Sequence, residues 1–402
     1  MKDIYDGFWD GPHATPKPSD DGPIFLGIKN ITEDGHLDLS EIRHIAEKDF
    51  QKWIKRVEPK FGDIVFSYEA TLNRYAIIPE NFRGCLGRRL ALIRPNIEIV
   101  DTRFLYYYFF GRQWRETIVQ HIISGATVDR IPIIEFSYFE VYLPSLPTQR
   151  KISAVLSAYD ELIEINTRRI HILEQMAQTI YNKWFSKVNA RGENASLPEG
   201  WEMKTLDYVL SEIESGSRPK GGIDPNQRGV PSVGAENIIG LGKYNYSSEK
   251  YVSADFYNAM TRGHIKNKDV LIYKDGASIG RKSMFRDGFP HNECCINEHV
   301  FILRTNEKCT QNFLYFWLDL PDMTQNIKNL NANAAQPGIN QAGVKGLPIL
   351  LPDEIMLKKL DDVIDPMMGL LFNLAKKNAN LRRTRDLLLP RLVSGEVGVE
   401  GL

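Results

Sequence analysis

The chain is written twice, and this restricts its fold more than any other feature. Residues 24–186 and 231–393 run in parallel at an offset drifting only between 206 and 210 positions. Gly27-Ile28-Lys29-Asn30-Ile31 returns as Gly234-Ala235-Glu236-Asn237-Ile238, and Asp63-Ile64-Val65-Phe66 as Asp269-Val270-Leu271-Ile272. Thr71-Leu72-Asn73-Arg74 returns as Ser278-Ile279-Gly280-Arg281, Phe104-Leu105-Tyr106 as Phe313-Leu314-Tyr315, and Leu143-Pro144 as Leu351-Pro352. Similar frameworks filled with different side chains call for two related modules that each read something different.

Patterning within each copy predicts an α+β fold: two similar mixed α/β domains joined by two long antiparallel coiled-coil helices, with a pseudo-two-fold internal repeat. The expected divisions are a first module over 1–147, a central helix over 148–188, a second module over 197–352 and a C-terminal helix over 353–393. In the first module, β-rich runs at Ile24–Ile28, Asp63–Tyr68, Ala76–Pro79 and Leu90–Arg94 are broken by Gly, Pro and Asn. One helix is expected over Thr102–His121, where Phe104, Leu105, Tyr108, Trp114 and Ile118 recur at helical spacing, and Pro144 and Pro147 close the module. The second copy predicts strands near Val230–Gly234, Val270–Tyr273 and His299–Arg304, and a helix near Gln311–Leu320.

Thr148–Phe185 reads as one uninterrupted helix. Sevens counted from Ile152 give Tyr159, Asn166, Leu173 and Ile180, and the offset column is Leu156, Ile163, Ile170, Ala177 and Trp184. This is a heptad seam over about five repeats. Adding 208 gives Leu360, Met367, Leu374, Leu381 and Leu388 beside Ile364, Leu371, Asn378, Arg385 and Leu392. Asn166, Asn378 and Arg385 are polar seam positions of the kind that cost stability and fix register. Each helix alone would expose an apolar stripe. The nearest partner is the other copy folded back antiparallel, with homo-oligomerisation as the rival. Pro366 is expected to kink the second helix or start a fresh turn. The polar stretch Asn189–Leu197 reads as a linker.

Apolar content of 43% and charged content of 25% are ordinary for a globular protein. No apolar run is long enough for a transmembrane helix, and Met1-Lys2-Asp3-Ile4-Tyr5 lacks the apolar core of a signal peptide. Cys85, Cys294, Cys295 and Cys309 show no framework spacing, which suits a reducing cytoplasm. A net charge of −1 argues against a strongly basic nucleic-acid coat while permitting local basic patches.

Catalytic signatures are missing: there is no phosphate-cradling Gly-rich loop ending in Lys-Ser/Thr, no Gly-x-Ser-x-Gly, no His-Glu-x-x-His and no Asn-Pro-Pro-Tyr-like tetrapeptide. Gly240-Leu241-Gly242 reads as a turn, and Glu58-Pro59-Lys60 lacks the Pro-Asp partner of a nuclease site. His291, Cys294, Cys295 and His299 have zinc-ligand chemistry, but adjacent cysteines on a strand point to opposite faces, so buried packing is the preferred reading and no metal is expected.

The candidates for DNA contact are basic, hydroxyl and amide residues near Gly-rich loops. In the first module these are His13, Thr15, Lys17, Lys29, Asn30, Arg74, Arg88, Arg89 and Arg130. In the second they are Arg218, Lys220, Asn237, Lys274, Ser278, Arg281, Lys282 and His291. Arg and Lys grip phosphates or guanine edges, and Asn pairs bidentately with adenine. Arg74 with Arg281, and Asn30 with Asn237, recur at one place in both copies. A framework role, phosphate anchoring or loop structure, explains recurrence, and residues that differ between copies are better suited to readout. The basic block Lys376–Arg391 holds Lys376, Lys377, Arg382, Arg383, Arg385 and Arg391 against Asp386, as a solvated face or one that meets phosphates or an acidic helix.

With these residues in view, the sequence resembles the specificity subunits of type I restriction–modification enzymes. The resemblance is carried by Asp10-Gly11-Pro12-His13-Ala14-Thr15-Pro16 and Ser215-Gly216-Ser217-Arg218-Pro219, which open the modules, and by the recurring Gly27–Ile31 and Gly234–Ile238. Ser278-Ile279-Gly280-Arg281, Gln336-Pro337-Gly338-Ile339-Asn340, the two Leu-Pro pairs and Arg391-Leu392-Val393-Ser394-Gly395-Glu396 complete it, over essentially the whole chain.

The resemblance implies two target-recognition domains, each reading half of a bipartite site on double-stranded DNA, and helices that pair and bind two methylation subunits. It places S-adenosylmethionine in those subunits, and ATP and magnesium in restriction or motor subunits, leaving this chain without catalytic residues or cofactor. A helix of about 38 residues spans at most roughly 57 Å. That is room for half-sites about one DNA turn, roughly 34–36 Å, apart. The sequence departs from the family pattern in three ways. The first module has no counterpart of Trp201–Leu206 before Ile4, it shows Ala126-Thr127-Val128-Asp129-Arg130 in place of Gln-Pro-Gly-Ile-Asn, and Pro366 interrupts a pairing helix. A coiled-coil adaptor with no DNA role, an autonomous enzyme acting on nucleic acid, and a subunit of a type IIB-like restriction enzyme are the alternatives.

Overall fold

The computed structural model describes residues 1–124, 128–189, 197–331 and 338–399. Ala126, Thr127, Gln336, Pro337 and linker residues 190–196 lie outside them. The described chain divides into two compact units: Met1–Glu161 with Arg382–Leu402, and Leu162–Leu381.

The first unit holds a four-stranded antiparallel sheet in the order Tyr5–Asp10, Leu90–Pro95, Ile64–Ser67, Tyr75–Ile77. The second holds Leu210–Ser215, Val300–Thr305, Asp269–Tyr273 and Lys282–Phe285 in the same order, with a register shift at the same place in the first strand. Each unit adds a three-stranded sheet whose middle strand has one antiparallel and one parallel neighbour. The strands are Arg43–His44, Ser19–Leu26 and Gly84–Leu86 in one, and Lys250–Val252, Val230–Val233 and Cys295–Ile296 in the other. The duplication seen in the sequence is a duplication of topology.

One buried ion pair repeats with it. Arg94 donates to both oxygens of Asp63 (2.8 and 2.7 Å), and Arg304 to both of Asp269 (2.7 Å each). Each Asp also accepts a backbone N–H three residues upstream, from Lys60 and Lys266. A desolvated carboxylate needs this many donors, which explains why the Asp that opens each of these strands returns in the repeat.

Helices follow each main sheet. The expected single helix over 102–121 is two, Thr102–Tyr108 and Arg112–His121. Asp101 caps the first through Phe104 N (2.9 Å), as Thr310 caps Gln311–Asp319 through Phe313 N. Gly111 starts the second in extended backbone, where an added Cβ would sit 3.0 Å from Tyr108 O and 3.2 Å from Val393. The apolar spacing continues across the break because both pieces cover one core, so periodicity alone did not register it.

The central helix runs Leu146–Asn189 and the C-terminal helix Glu354–Val393, and they pair antiparallel. Pro147 lies in the first turn, where a missing N–H costs nothing, so it belongs to the helix and does not close the module. The C-terminal helix continues through Pro366. That residue is exposed, as is Asp362 four residues before, so the carbonyl left without a donor faces water.

In the first unit Ile152 and Leu156 share a core with Leu389, Leu392 and Val393. In the second, Ile170, Ala177, Tyr181 and Phe185 share one with Leu360, Ile364, Met368, Leu371 and Leu374. Ile163, Asn166 and Asn378 are also buried, while Tyr159, Leu173, Leu381 and Leu388 are half-buried. The strict count of sevens drifts: Tyr181 and Phe185 are buried where Ile180 and Trp184 were expected to be, and Met368 and Leu389 in place of Met367 and Leu388. A straight helix of 3.6 residues per turn rotates about 20° per heptad, and these helices also pack against the sheets, which widens the apolar stripe. Among the described residues no helix is long and apolar enough to cross a membrane.

Candidate nucleic-acid interface

Each module begins with an irregular segment leaving its first strand. His13, Thr15 and Lys17 are exposed there, with His13 Nε2 3.0 Å from Asp10. The corresponding segment of the second module exposes Arg218 and Lys220, Arg218 being 3.1 Å from Glu298. Short aliphatic and proline-rich stretches cannot bury these side chains, so they stand at the surface.

The next elements are the single helical turns Ile28–Asn30 and Ala235–Asn237. Asn30 and Asn237, expected as DNA contacts, are buried instead. Asn30 accepts from Gly27 N (3.0 Å) and donates to Asp38 O (3.0 Å) and Glu41 O (3.1 Å). Asn237 accepts from Gly234 N (2.9 Å) and donates to Asn245 O (2.9 Å) and Ser248 Oγ (3.4 Å). Both amide hydrogens of each are spent on holding a loop, so the loop-structure explanation of their recurrence replaces base contact. Lys29 beside them is exposed, 3.6 Å from Glu41. Gly242 closes the second loop at positive φ, where a Cβ would come within 2.7 Å of Leu371, which bears out the turn reading of Gly240–Gly242.

Arg74 and Arg281 occupy the same place in the hairpins of the two main sheets: the Arg74 carbonyl accepts from Ser67 N, and that of Arg281 from Tyr273 N. Their side chains differ. Arg74 is held by Glu33 at 2.9 Å, whereas Arg281 is exposed. Ser278 is half-buried at the end of the turn Gly276–Ser278, and the Lys274 ammonium lies over the Phe301 ring at 5.0 Å. Lys282 is buried against Thr324 (2.9 Å), Gly280 O (3.3 Å) and Asp319 (3.3 Å), and burial lowers its pKa. Its ammonium is engaged by these internal partners, in contrast to the DNA contact expected from sequence, at the wall of a hollow of about 420 Å³ that Arg281 and Asp319 also line. In the first module Arg88 and Arg130 are exposed and Arg89 lies 3.1 Å from Glu69.

His291, also expected to touch DNA, binds the buried Glu249 and sits edge-on to Tyr244 and Tyr246. Burial alone would raise the Glu249 carboxyl, but hydrogen bonds from His291 and Tyr251 hold it below its ordinary value. His299 lies 2.6 Å from Asp275 and 3.4 Å from Glu298. Cys294 and Cys295 are buried free thiols whose pKa burial raises, that of Cys295 to about 11. His291 and His299 thus bind different carboxylates and the Cys295 thiol donates to Pro231 O, and among the described residues no group of three or more His, Cys, Asp or Glu could hold a metal.

The basic block is partly consumed internally. Arg385 is paired with Asp160 and Asp386, Lys376 donates to Asp287 O (2.6 Å) and Arg391 lies 3.5 Å from Glu396. Sequence reasoning missed Arg43 and His44, which flank Thr15 around a hollow. Their strand is two residues long, too short for any period to show.

A fold and topology given twice, with recurring residues inside and differing polar residues in the exposed loops, define a two-module recognition scaffold. The family model described as "Type I restriction modification DNA specificity domain" matches residues 20–175 and again 198–372. The chain belongs to this family, the specificity subunits of type I restriction–modification systems. It is 26% identical over 380 residues to the type I restriction enzyme MjaIX specificity subunit of Methanocaldococcus jannaschii, covering 90% of this chain and 83% of that one. It is 22% identical to the HindI specificity subunit of Haemophilus influenzae, over 90% and 91% of the two chains. The crystal structure of the S subunit from M. genitalium superposes with a TM-score of 0.58 at 16% identity, covering 97% and 94%, and so shares the fold.

Proposed function

We propose that the two modules each read one half of a bipartite, asymmetric site on double-stranded DNA, and that the paired helices set the spacing and dock two methylation subunits. The subunit acts in the cytoplasm and performs no catalysis. S-adenosylmethionine belongs to the methylation subunits, and ATP with magnesium to restriction or motor subunits that join them. The observation that carries this reading is a conserved topology bearing unequal surfaces. Asn30 and Asn237 build the same turn in both modules, whereas the loops around them differ: Arg74 is bound to Glu33 and Arg281 is exposed. Framework identity with loop divergence is what two readers of different sequences require.

The test is genome-wide adenine methylation in a host carrying the cognate methylation subunit, with and without this chain. A bipartite motif that depends on the chain is expected. Methylation that is identical in both hosts, with no DNA binding by the purified complex, would leave the adaptor reading in its place.

A further inference from the structure

The first module holds a hollow of about 330 Å³ lined by Thr15, Pro16, Pro18, Phe25, Arg43 and His44. Its apolar floor is Phe25, which is buried and packs edge-on against Trp53, with the two prolines beside it. Its rim carries three polar side chains. The His44 ring bonds Gly22 O through Nδ1 at 2.6 Å. A carbonyl can only accept, so Nδ1 carries a proton and is committed to that loop. Arg43 is exposed, and among the described residues its guanidinium makes no hydrogen bond or ion pair. Arg43 is directly opposite Phe25 in the antiparallel pair and so shares the face of that apolar floor, whereas His44, the next residue, is opposite Ile24 on the other face.

The corresponding edge of the second module is different. The strand Lys250–Val252 pairs with its sheet as Arg43–His44 does, but Lys250 is bound to Glu236 at 2.7 Å and the Tyr251 hydroxyl to Glu249 at 2.5 Å. Phe25 is opposite Cys85 in the parallel pair, and Ser232 is opposite Cys295. Side chains at one framework position are therefore open in one copy and committed internally in the other. This is the divergence expected of residues that set sequence preference.

We infer that Arg43 reads the guanine of one G·C base pair of the first half-site from the major groove. Guanine offers N7 and O6, which a guanidinium meets bidentately. Thr15 Oγ1 serves either partner, and Phe25, Pro16 and Pro18 keep the hydrogen bonds dry. The inference rests on the DNA-reading function proposed above and adds to it the residues and the base pair.

The experiment compares methylation motifs of the full complex carrying the unaltered chain, Arg43→Gln or Arg43→Ala. Gln pairs bidentately with adenine N6 and N7, so Arg43→Gln should turn one guanine of one half-site into adenine. A misfolded chain cannot produce that gain. Arg43→Ala should relax the same position, raising methylation of sites with another base there by tenfold or more, with the other half-site unchanged. An unchanged motif, whether methylated equally or uniformly more weakly, overturns the inference and leaves Arg43 at most a phosphate contact. If the unaltered chain supports no bipartite motif at all, the proposed function fails first and the inference falls with it.

Discussion

Asn166 donates its side-chain amide to Asn378 Oδ1 at 2.9 Å inside a helix seam whose neighbouring contacts are apolar. Asn378 in turn donates to Ile163 O and Thr167 Oγ1, both at 3.1 Å. An amide has nothing to bond if the helices slide, so this pair selects one antiparallel register at some cost in stability. Asn378→Leu should therefore destabilise the second unit by about 2–3 kcal/mol and Asn166→Leu by about 1–2 kcal/mol, because the first substitution orphans more groups. The double variant should recover most of the loss. Urea-unfolding midpoints of the four proteins check this ordering. A double variant less stable than both singles would contradict it.

The loop amides give a different expectation. Asn30→Ala and Asn237→Ala each remove three hydrogen bonds from a buried site, and each should cost about 2–3 kcal/mol. The recognised motif should stay unchanged, since neither side chain has a donor left for a base. Unfolding midpoints together with the methylation motif separate this from base readout, which would alter the motif at full stability.

Acid should loosen the second unit at Asp365. Burial alone would raise its carboxyl, but bonds from Arg286 (2.9 and 3.0 Å), Lys268 (2.7 Å) and Asn312 (2.9 Å) hold it at about 2. A carboxylate with a depressed folded pKa contributes stability that is full above its unfolded value, near 4, and lost as pH falls toward 2. The contribution is on the order of 1–2 kcal/mol once solvent screening of a one-third-exposed side chain is allowed for. Asp361, bonded to the same Asn312, runs the other way: burial raises its carboxyl, so its ionised form costs stability at neutral pH and protonation relieves it. Asp365→Asn should flatten the fall in melting temperature between pH 4 and 2, whereas Asp361→Asn should act above pH 4, removing the gain in stability that protonation of Asp361 gives as pH falls toward 4.

What the sequence made legible follows from which forces are local. Strand runs, helix phases and the repeat itself were readable, because each follows from the period of apolar residues along one chain. Asp63 and Asp269 recur visibly because a buried Arg–carboxylate pair tolerates no substitute. The break at Gly111 and the passage through Pro366 were not readable: the first is set by what packs on Tyr108 and Val393, the second by which side of the helix meets water. Among the expected DNA contacts, Asn30, Asn237, Lys282 and His291 have internal partners that the sequence did not show, for one reason. Residue type announces hydrogen-bonding capacity, and only the fold decides whether a loop, a carboxylate or a ligand uses it.

The helices offer the last prediction. Contacts divide between Glu161 and Leu162 in the central helix and between Leu381 and Arg382 in the C-terminal helix. Four residues inserted at both junctions leave each core intact and the Asn166–Asn378 register untouched, since both strands of the antiparallel pair lengthen together. Each insertion adds about 6 Å along the helix at 1.5 Å per residue, which corresponds to one or two base pairs of duplex. If the helices act as the ruler, the methylated motif should keep both half-sites and gain a spacer longer by that amount. A single insertion, in one helix only, should misalign the seam and abolish methylation. Retention of the original spacer by the double-insertion chain would show that the helices do not set it.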